Sequence, residues 1–170
     1  MNVDELRSLQ TPIKERYKKD PASALVTASA EAVVVDKDIA CRVNTSVGET
    51  IAGLHPATGG DGSAVCSADM LMEALVGCAG VTLKAVATAM RIPLGRSKVI
   101  AEGRWDARGT LAVDREAPVG LTEVNLTFEI DATVEPKKLD KLIELTERYC
   151  VVYQTLANSP ELKSNIKTDD

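Results

Sequence analysis

One segment constrains the fold more than any other: a long apolar helix predicted from about Ser67 to about Met90. Ser67 is expected to cap its N-terminus, and Asp69 suits the positive end of the helix dipole. A helix that is hydrophobic nearly all round is usually buried at the centre of a domain or at an interface. On a helical wheel, Cys78 lies roughly opposite Asp69, on the apolar side. The polar side chains, which gather within about 100° of one another, are Asp69, Glu73, Lys84 and Thr88.

Composition excludes several classes of function. The chain has 170 residues, of which 45% are apolar, and its net charge is −5. One domain of this length buries a sizeable core, whereas the lack of a basic surplus argues against a nucleic-acid partner. Aromatic residues make up only 3%, which leaves little for a base-stacking platform. The longest uncharged stretch of the apolar helix, Ala74 to Leu83, is too short to span a bilayer.

Cysteine usage and the first residues suggest a compartment. Met1 to Leu9 has no continuous hydrophobic run of the kind found in signal peptides. The four cysteines, at positions 41, 66, 78 and 150, show neither a secreted disulfide framework nor the paired spacing of a zinc site. We therefore expect a cytoplasmic protein without a metal or other cofactor, whose cysteines are either inert core thiols or redox-active ones.

The order of predicted elements indicates an α+β fold. A polar helix in residues 1–19 forms an N-terminal extension, residues 1–21, and residues 22–170 form a single domain. Strands are predicted over 25–35 and 39–47 as a hairpin, over 98–108 and 124–130, and over 161–167 as a closing strand. One helix is predicted to begin at Pro136, with Glu144 and Arg148 paired at i, i+4. A second, short helix is predicted over 151–157.

Two cysteines occupy positions where chemistry is conceivable. Cys78 lies in the middle of the apolar helix, and Cys150 lies at a helix junction beside Arg148. A thiol at a helix N-terminus or near a cation has a depressed pKa and becomes reactive, a condition that Cys150 meets if it starts the Val151 helix. Composition alone favours the alternative that both are small core hydrophobes. His55, the only histidine, could deprotonate a thiol or simply hydrogen bond to the backbone of its loop.

Two motifs resemble a known family. The run SADMLMEALVGCAGVTL, residues 67–83, is similar to the central-helix motif of the OsmC/Ohr family, the osmotically inducible and organic-hydroperoxide-resistance proteins. The run YCVVYQTL, residues 149–156, resembles the segment that carries the family's second cysteine, with Val151 where the family usually has proline. The resemblance covers most of the chain past about residue 22. It implies antiparallel sheets packed on two central helices in an intertwined homodimer.

The resemblance also implies a function. The family reduces organic hydroperoxides with thiols, which implies Cys78 as the peroxidatic nucleophile and Cys150 as the resolving thiol. The first thiolate would become a sulfenic acid, the second thiol would condense with it, and an external thiol would reduce the disulfide. The alternative is a non-enzymatic member that binds a small hydrophobic ligand or a partner at the dimer-interface cleft.

The groups that would activate Cys78 depart from the family's pattern. The family uses an arginine and a glutamate, yet no arginine lies between Arg42 and Arg91. Asp69 is the acidic candidate, with Glu73 as the alternative, although Asp69 is equally well explained as a helix-terminus charge. For the cation we expect His55 or Arg148 to approach Cys78 in the dimer, with Arg42 less favoured.

Overall fold

The computed structural model describes residues 1–168 as an α+β protein of five α-helices and six strands. The fold class is the predicted one. The helices are α1 (Val3–Lys19), α2 (Ser67–Ala89), α3 (Ala107–Thr110), α4 (Pro136–Tyr149) and α5 (Val151–Ala157). The strands are β1 (Glu31–Val34), β2 (Ala40–Thr45), β3 (Gly48–Gly53), β4 (Val65–Cys66), β5 (Lys98–Trp105) and β6 (Leu121–Glu129).

Helix α2 is the central element, as its composition predicts. It contacts β5, α4 and α5, and it begins one residue earlier than expected, because Cys66 rather than Ser67 is the N-cap and Ser67 is the first helical residue. By length and hydropathy α2 is also the one helix among the described residues that could cross a membrane. Its packing against three other elements makes it the core helix of this fold. The α2 residues that it buries are Leu75, Ala79, Leu83, Val86 and Ala87.

The strands form two sheets, one from strands that precede α2 in the sequence and one from strands that follow it. The first has the order β1-β2-β3-β4, with antiparallel pairing except for β4, which runs parallel to β3. The predicted hairpin of β1 and β2 is confirmed, with Ala32 opposite Val43. The second sheet is the antiparallel pair β5 and β6, with Ala101 opposite Leu126. Strand β3 was not predicted, since Gly48-Glu49-Thr50 does not alternate between apolar and polar residues.

The core consists of two apolar clusters along α2. One joins the C-terminal half of α2 to Ile92 and to Leu142 of α4. The other joins Leu75 and Ala79 of α2 to Cys150, and side chains of β5, β6 and α5 pack around it. Cys78 is among those surrounding residues, so the second cluster places both candidate cysteines in one region.

Two local predictions differ from the structure. Residues 161–167 form no strand, because no strand lies beside them and their apolar side chains, Leu162 and Ile166, stay exposed. Glu144 pairs with Lys141, three residues before it, rather than with Arg148. The helix predicted in residues 1–19 is confirmed as α1, which continues through Pro12 and is capped at its start by Asn2. The division into residues 1–21 and 22–170 stays a prediction, and residues 169 and 170 lie outside the described part.

Candidate active site

The thiols of Cys78 and Cys150 meet between α2 and the junction of α4 with α5. Cys78 is half-buried near the middle of α2, whereas Cys150 is completely buried. The two side chains pack in the same apolar cluster, and each thiol affects the pKa of the other. They are 72 positions apart in the chain, so only the tertiary fold brings these two reactive groups together.

Cys150 belongs to the ends of two helices at once. Its N–H donates to the carbonyl of Thr146 at 2.9 Å, which closes α4, and its carbonyl accepts from the N–H of Gln154 at 2.9 Å, which opens α5. Its Sγ accepts from the N–H of Tyr153 at 3.5 Å. This extended residue, with φ −77° and ψ 108°, turns the chain so that the first N–H groups of α5 face α2.

Those N–H groups determine the chemistry of Cys78. Burial by itself would raise the pKa of the Cys78 thiol, because desolvation disfavours the thiolate. Hydrogen bonds to its sulfur from the N–H groups of Val152 and Val151, from the Cys150 thiol and from the Thr82 hydroxyl outweigh that effect. The pKa of Cys78 is therefore lowered, and the thiolate is favoured at this position.

Cys150 has the opposite bias. Burial raises the pKa of its thiol, and the neighbouring Cys78 sulfur raises it further, in spite of the hydrogen bond from Tyr153. The expectation that Cys150 would have the depressed pKa is wrong, although Cys150 does start α5. The thiolate of a completely buried cysteine is destabilised more by desolvation than it is stabilised by one N–H group. The result is one thiol suited to attack and one that stays protonated beside it.

The acidic candidates lie on another part of α2. Asp69 is exposed and lies nine residues before Cys78, which on a helix is about 13 Å along the axis and half a turn around it. Glu73 is also exposed, and both side chains border an open cavity together with Glu102 of β5. Within one protomer, neither carboxylate is among the groups that hydrogen bond to Cys78.

His55 has a structural role in its loop. Its Nδ1 accepts from the N–H of Ala57 at 3.0 Å, which caps the short 3₁₀ turn of residues 56–58. Its ring lies edge-on to Trp105, with the ring centroids 5.5 Å apart. His55 borders the first turn of α2 rather than its middle, so within one protomer it does not reach Cys78.

The arginine candidates also lie away from the Cys78 sulfur. The guanidinium of Arg148 lies over the ring of Tyr149, 5.7 Å from its centroid, and the side chain is exposed at the end of α4. Arg42 is exposed on β2, opposite Val33 and Ile51. Of the five residues proposed from the sequence, the fold thus brings Cys78 and Cys150 together and leaves Asp69, His55 and Arg148 elsewhere in the protomer.

The remaining cysteines do not join the pair. Cys66 caps α2 twelve residues before Cys78, about 18 Å away along the helix. Cys41 lies on β2 opposite Ala52. Among residues 1–168, no three His, Cys, Asp or Glu side chains lie close enough together to hold a metal ion.

Sequence reasoning missed Thr82, Val151 and Val152 as donors to Cys78. Thr82 follows Cys78 by four residues on a predicted helix, so the helical period could have identified it. The two valines donate through their backbone, and side-chain identity gives no signal for that contact.

Comparison with known proteins places this site in a family. The family model described as OsmC-like protein matches residues 60–165, which include both cysteines. No functionally curated protein matches the chain.

Solved structures share the fold at low sequence identity. An OsmC-like protein from Mycoplasma pneumoniae has a TM-score of 0.67 and 17% identity, over 79% of this chain and 89% of that one. An organic hydroperoxide resistance protein from Elizabethkingia anophelis has a TM-score of 0.61 and 20% identity, over 79% and 91%. An organic hydroperoxide resistance protein OsmC from Legionella pneumophila has a TM-score of 0.58 and 16% identity, over 79% and 91%. With the family model covering more than half of its length, the chain belongs to the OsmC-like family.

Proposed function

We propose that this protein is a thiol-dependent peroxidase that reduces organic hydroperoxides, with Cys78 as the nucleophile and Cys150 as the resolving thiol. The observation that carries the proposal is that Cys78 packs beside Cys150 in one cluster, where the pKa of Cys78 is lowered and the pKa of Cys150 is raised. That division of roles is what a two-cysteine peroxidase needs. The names of the relatives from Elizabethkingia and Legionella agree with it.

The reaction would proceed in two balanced steps. The Cys78 thiolate attacks the terminal oxygen of ROOH, so that an S–O bond forms, the O–O bond breaks and the alkoxide leaves and takes up a proton as ROH. The Cys150 thiol then attacks the Cys78 sulfenic acid, which gives a disulfide and water. Two electrons from an external thiol reductant restore the pair. Because this regeneration needs a reducing thiol pool, we propose a cytoplasmic location.

The surroundings of the pair favour an organic substrate over hydrogen peroxide. Leu75 and Ala79 of α2 pack beside Cys150, and further apolar side chains of β5 and β6 surround them. Such an apolar environment favours binding of the alkyl group of an organic hydroperoxide, because burial removes apolar surface from water.

An intertwined homodimer is part of the proposal. Val81, one turn after Cys78 on α2, is 74% exposed in one protomer, and Leu71 is exposed on the same helix. A second copy would cover these side chains, and it would bring a cation such as Arg148 or His55 within range of the site from across the interface.

The test is the oxidation chemistry of the two cysteines. Treatment with cumene hydroperoxide followed by peptide mass spectrometry should give one intramolecular disulfide between Cys78 and Cys150. Cys78→Ser should abolish peroxide consumption, and Cys150→Ser should leave Cys78 oxidised to sulfinic or sulfonic acid. Cys66→Ser is the matched control, and it should behave like wild type.

Two results would contradict the proposal. One is consumption of cumene hydroperoxide by the Cys78→Ser variant at the wild-type rate. The other is over-oxidised Cys78 in the wild-type protein with Cys150 still free, since a resolving thiol in contact with Cys78 would have prevented it.

A second candidate function, binding of a small hydrophobic ligand without catalysis, is supported by a separate cavity. It has a volume of about 390 Å³ and lies beside the first turn of α2, where Leu54, Leu71 and Trp105 line it. This volume falls in the range of ligand pockets. Because Trp105 is the only tryptophan, its fluorescence would report an occupant, and binding that persists in Cys78→Ser without any peroxide turnover would favour this second function.

A further inference from the structure

The cavity beside the first turn of α2 lies apart from the thiol pair. Leu54, Leu71 and Trp105 give it apolar walls, and none of the described residues that line it is an aspartate, glutamate, lysine or arginine. Cys66, which also lines it, precedes Cys78 by twelve residues and so by about 18 Å along the helix. Within one protomer, an occupant of this cavity is therefore remote from the Cys78 sulfur.

His55 borders the same cavity and is held in place from several sides. Its carbonyl accepts from the N–H of Thr58 at 2.8 Å, from the N–H of Gly60 at 3.1 Å and from the Thr58 hydroxyl at 3.0 Å. Its Nδ1 accepts from the N–H of Ala57 at 3.0 Å, and its ring lies edge-on to Trp105 with the ring centroids 5.5 Å apart. The imidazole thus has a fixed orientation at the wall of the cavity.

The Ala57 contact also determines where the ring proton lies. A nitrogen that accepts a hydrogen bond carries no hydrogen, so the proton of the neutral imidazole is on Nε2, the ring nitrogen farther from the backbone. Among residues 1–168, no side chain or carbonyl accepts a hydrogen bond from Nε2. A cap needs only one acceptor, which asparagine, aspartate or serine supplies, so the cap at Ala57 leaves the second nitrogen of His55 without a role.

We propose that this cavity binds a small apolar molecule that carries one hydrogen-bond-accepting head, a carboxylate or a carbonyl, and that the N–H at His55 Nε2 donates to that head. The inference rests on the second candidate function and deepens it, because it names the class of ligand. The apolar walls favour the body of such a molecule, since burial removes apolar surface from water. A donor on a fixed ring selects its head, as the few polar groups of a ligand cavity do.

The experiment compares three probes of similar shape: para-ethylbenzoate, para-ethylacetophenone and para-diethylbenzene, of which only the last has no acceptor. Isothermal titration calorimetry on the full chain measures each Kd, and the emission of Trp105, the only tryptophan, reports that the cavity is occupied. A neutral hydrogen bond increases affinity about fivefold, and one to a charged group about tenfold or more. Wild type should therefore bind the ketone about fivefold, and the carboxylate at least about tenfold, more tightly than diethylbenzene.

His55→Asn separates the donor from the cap. Asparagine is a preferred N-cap, so its side-chain oxygen keeps an acceptor for the Ala57 N–H, whereas its amide nitrogen stops short of the Nε2 position. The variant should lose the tighter binding of the two acceptor-bearing probes and bind diethylbenzene as wild type does. If this variant does not fold, His55→Gln and His55→Met give the same comparison, because they match in length and differ in the amide donor.

The outcomes separate this inference from both candidate functions. Loss of the preference in His55→Asn supports it, and the preference should persist in Cys78→Ser, which tests the peroxidase proposal. Equal affinities of the three probes for wild type, or an unchanged preference in His55→Asn, overturn the inference and leave the binding of apolar molecules intact. If none of the probes binds, the inference fails together with the second candidate function.

Discussion

The two thiols of the site carry the same functional group, and their surroundings separate them. An ordinary cysteine has a pKa near 8.5. Cys78 receives hydrogen bonds from backbone and side-chain donors, which lower its pKa against the effect of burial, while burial and the adjacent sulfur raise the pKa of Cys150. In the proposed reaction, these local contacts are what makes Cys78 the attacking thiol and Cys150 the resolving one.

This difference predicts the reactivity of each cysteine. The thiolate is the species that iodoacetamide attacks, and its fraction grows as the pH rises through the pKa. Alkylation of Cys78 should therefore reach half of its maximum at a lower pH than alkylation of Cys150 does. Peptide mass spectrometry of samples quenched across pH 6–10 would measure both profiles, and a Cys78 midpoint above that of Cys150 would contradict the assignment.

The two cation candidates, His55 and Arg148, provide the comparison. Because His55 caps its own loop and Arg148 stacks on Tyr149, His55→Ala and Arg148→Ala in the monomer should leave the Cys78 profile unchanged. A raised Cys78 midpoint in either variant, seen only at concentrations where the protein is dimeric, would instead show that the cation comes from a second protomer.

At this scale the sequence predicts little of the site by itself. The pairing of Cys78 with Cys150 came from the family resemblance, since no spacing argument joins two residues so far apart. The raised pKa of Cys150 depends on complete burial, and position at a helix start does not reveal burial. His55 was equally consistent with a thiol base and with a loop hydrogen bond, and the Ala57 contact belongs to the second kind.

Among the elements, the short helix α5 matters through the N–H groups at its start. The first N–H groups of a helix have no partner within it. Here those of Val151 and Val152 find one in the Cys78 sulfur. The proline that the family usually has at position 151 carries no N–H, so Val151 supplies a donor that such relatives lack. The Cys78 thiol of this chain has no arginine beside it within the protomer.

Val151→Pro tests that contribution. Proline fits the first position of a helix, and the extended backbone of Cys150, with ψ 108°, is what a residue before proline adopts. We therefore expect the variant to fold and to show a Cys78 alkylation midpoint raised by up to about one pH unit. Val151→Ala, which keeps the N–H, is the control. Equal midpoints in the two variants would show that this donor does not contribute.

Elements could be predicted where composition or period was strong. The bounds of helix α2 were predicted nearly to the residue, because a segment this long and this apolar can only be a buried helix in a chain of this size. The β1–β2 hairpin and strands β5 and β6 were predicted from alternation and from Val-rich composition, whereas the pairing of β5 with β6 was not predicted. The strand predicted at 161–167 also alternates, but a strand needs a neighbour to satisfy its backbone groups, and no sequence pattern shows whether a neighbour is present.

At the scale of the whole molecule, one protomer exposes more surface than a compact chain of its mass. Its accessible area is 13027 Å², whereas a monomer of this mass is expected to expose about 8,000 Å². Large apolar side chains contribute to the excess, including Val34 on the edge strand β1 and Val81 on α2. Surface of this extent and kind favours assembly with a second copy.

Val81→Glu tests the assembly. A charge buried at the centre of an interface is costly, so the variant should raise the dimer dissociation constant at least about tenfold. Multi-angle light scattering at micromolar concentration should give twice 18.1 kDa for wild type and a lower mean mass for the variant. The control is Val113→Glu, an equally exposed valine in the connection between β5 and β6. A monomeric wild type would contradict the dimer.

The distance in sequence between the two thiols has a consequence for folding. A Cys78–Cys150 bond would close a loop of about 70 residues, and by loop-closure entropy such a cross-link restricts the unfolded chain by about 4 kcal/mol. The oxidised protein should then unfold at a higher urea concentration than the dithiothreitol-reduced protein, and Cys150→Ser should remove the difference. Equal urea midpoints would indicate strain in the bond. Exposure to peroxide would thus leave this protein transiently harder to unfold, and so harder to degrade, while it waits for its reductant.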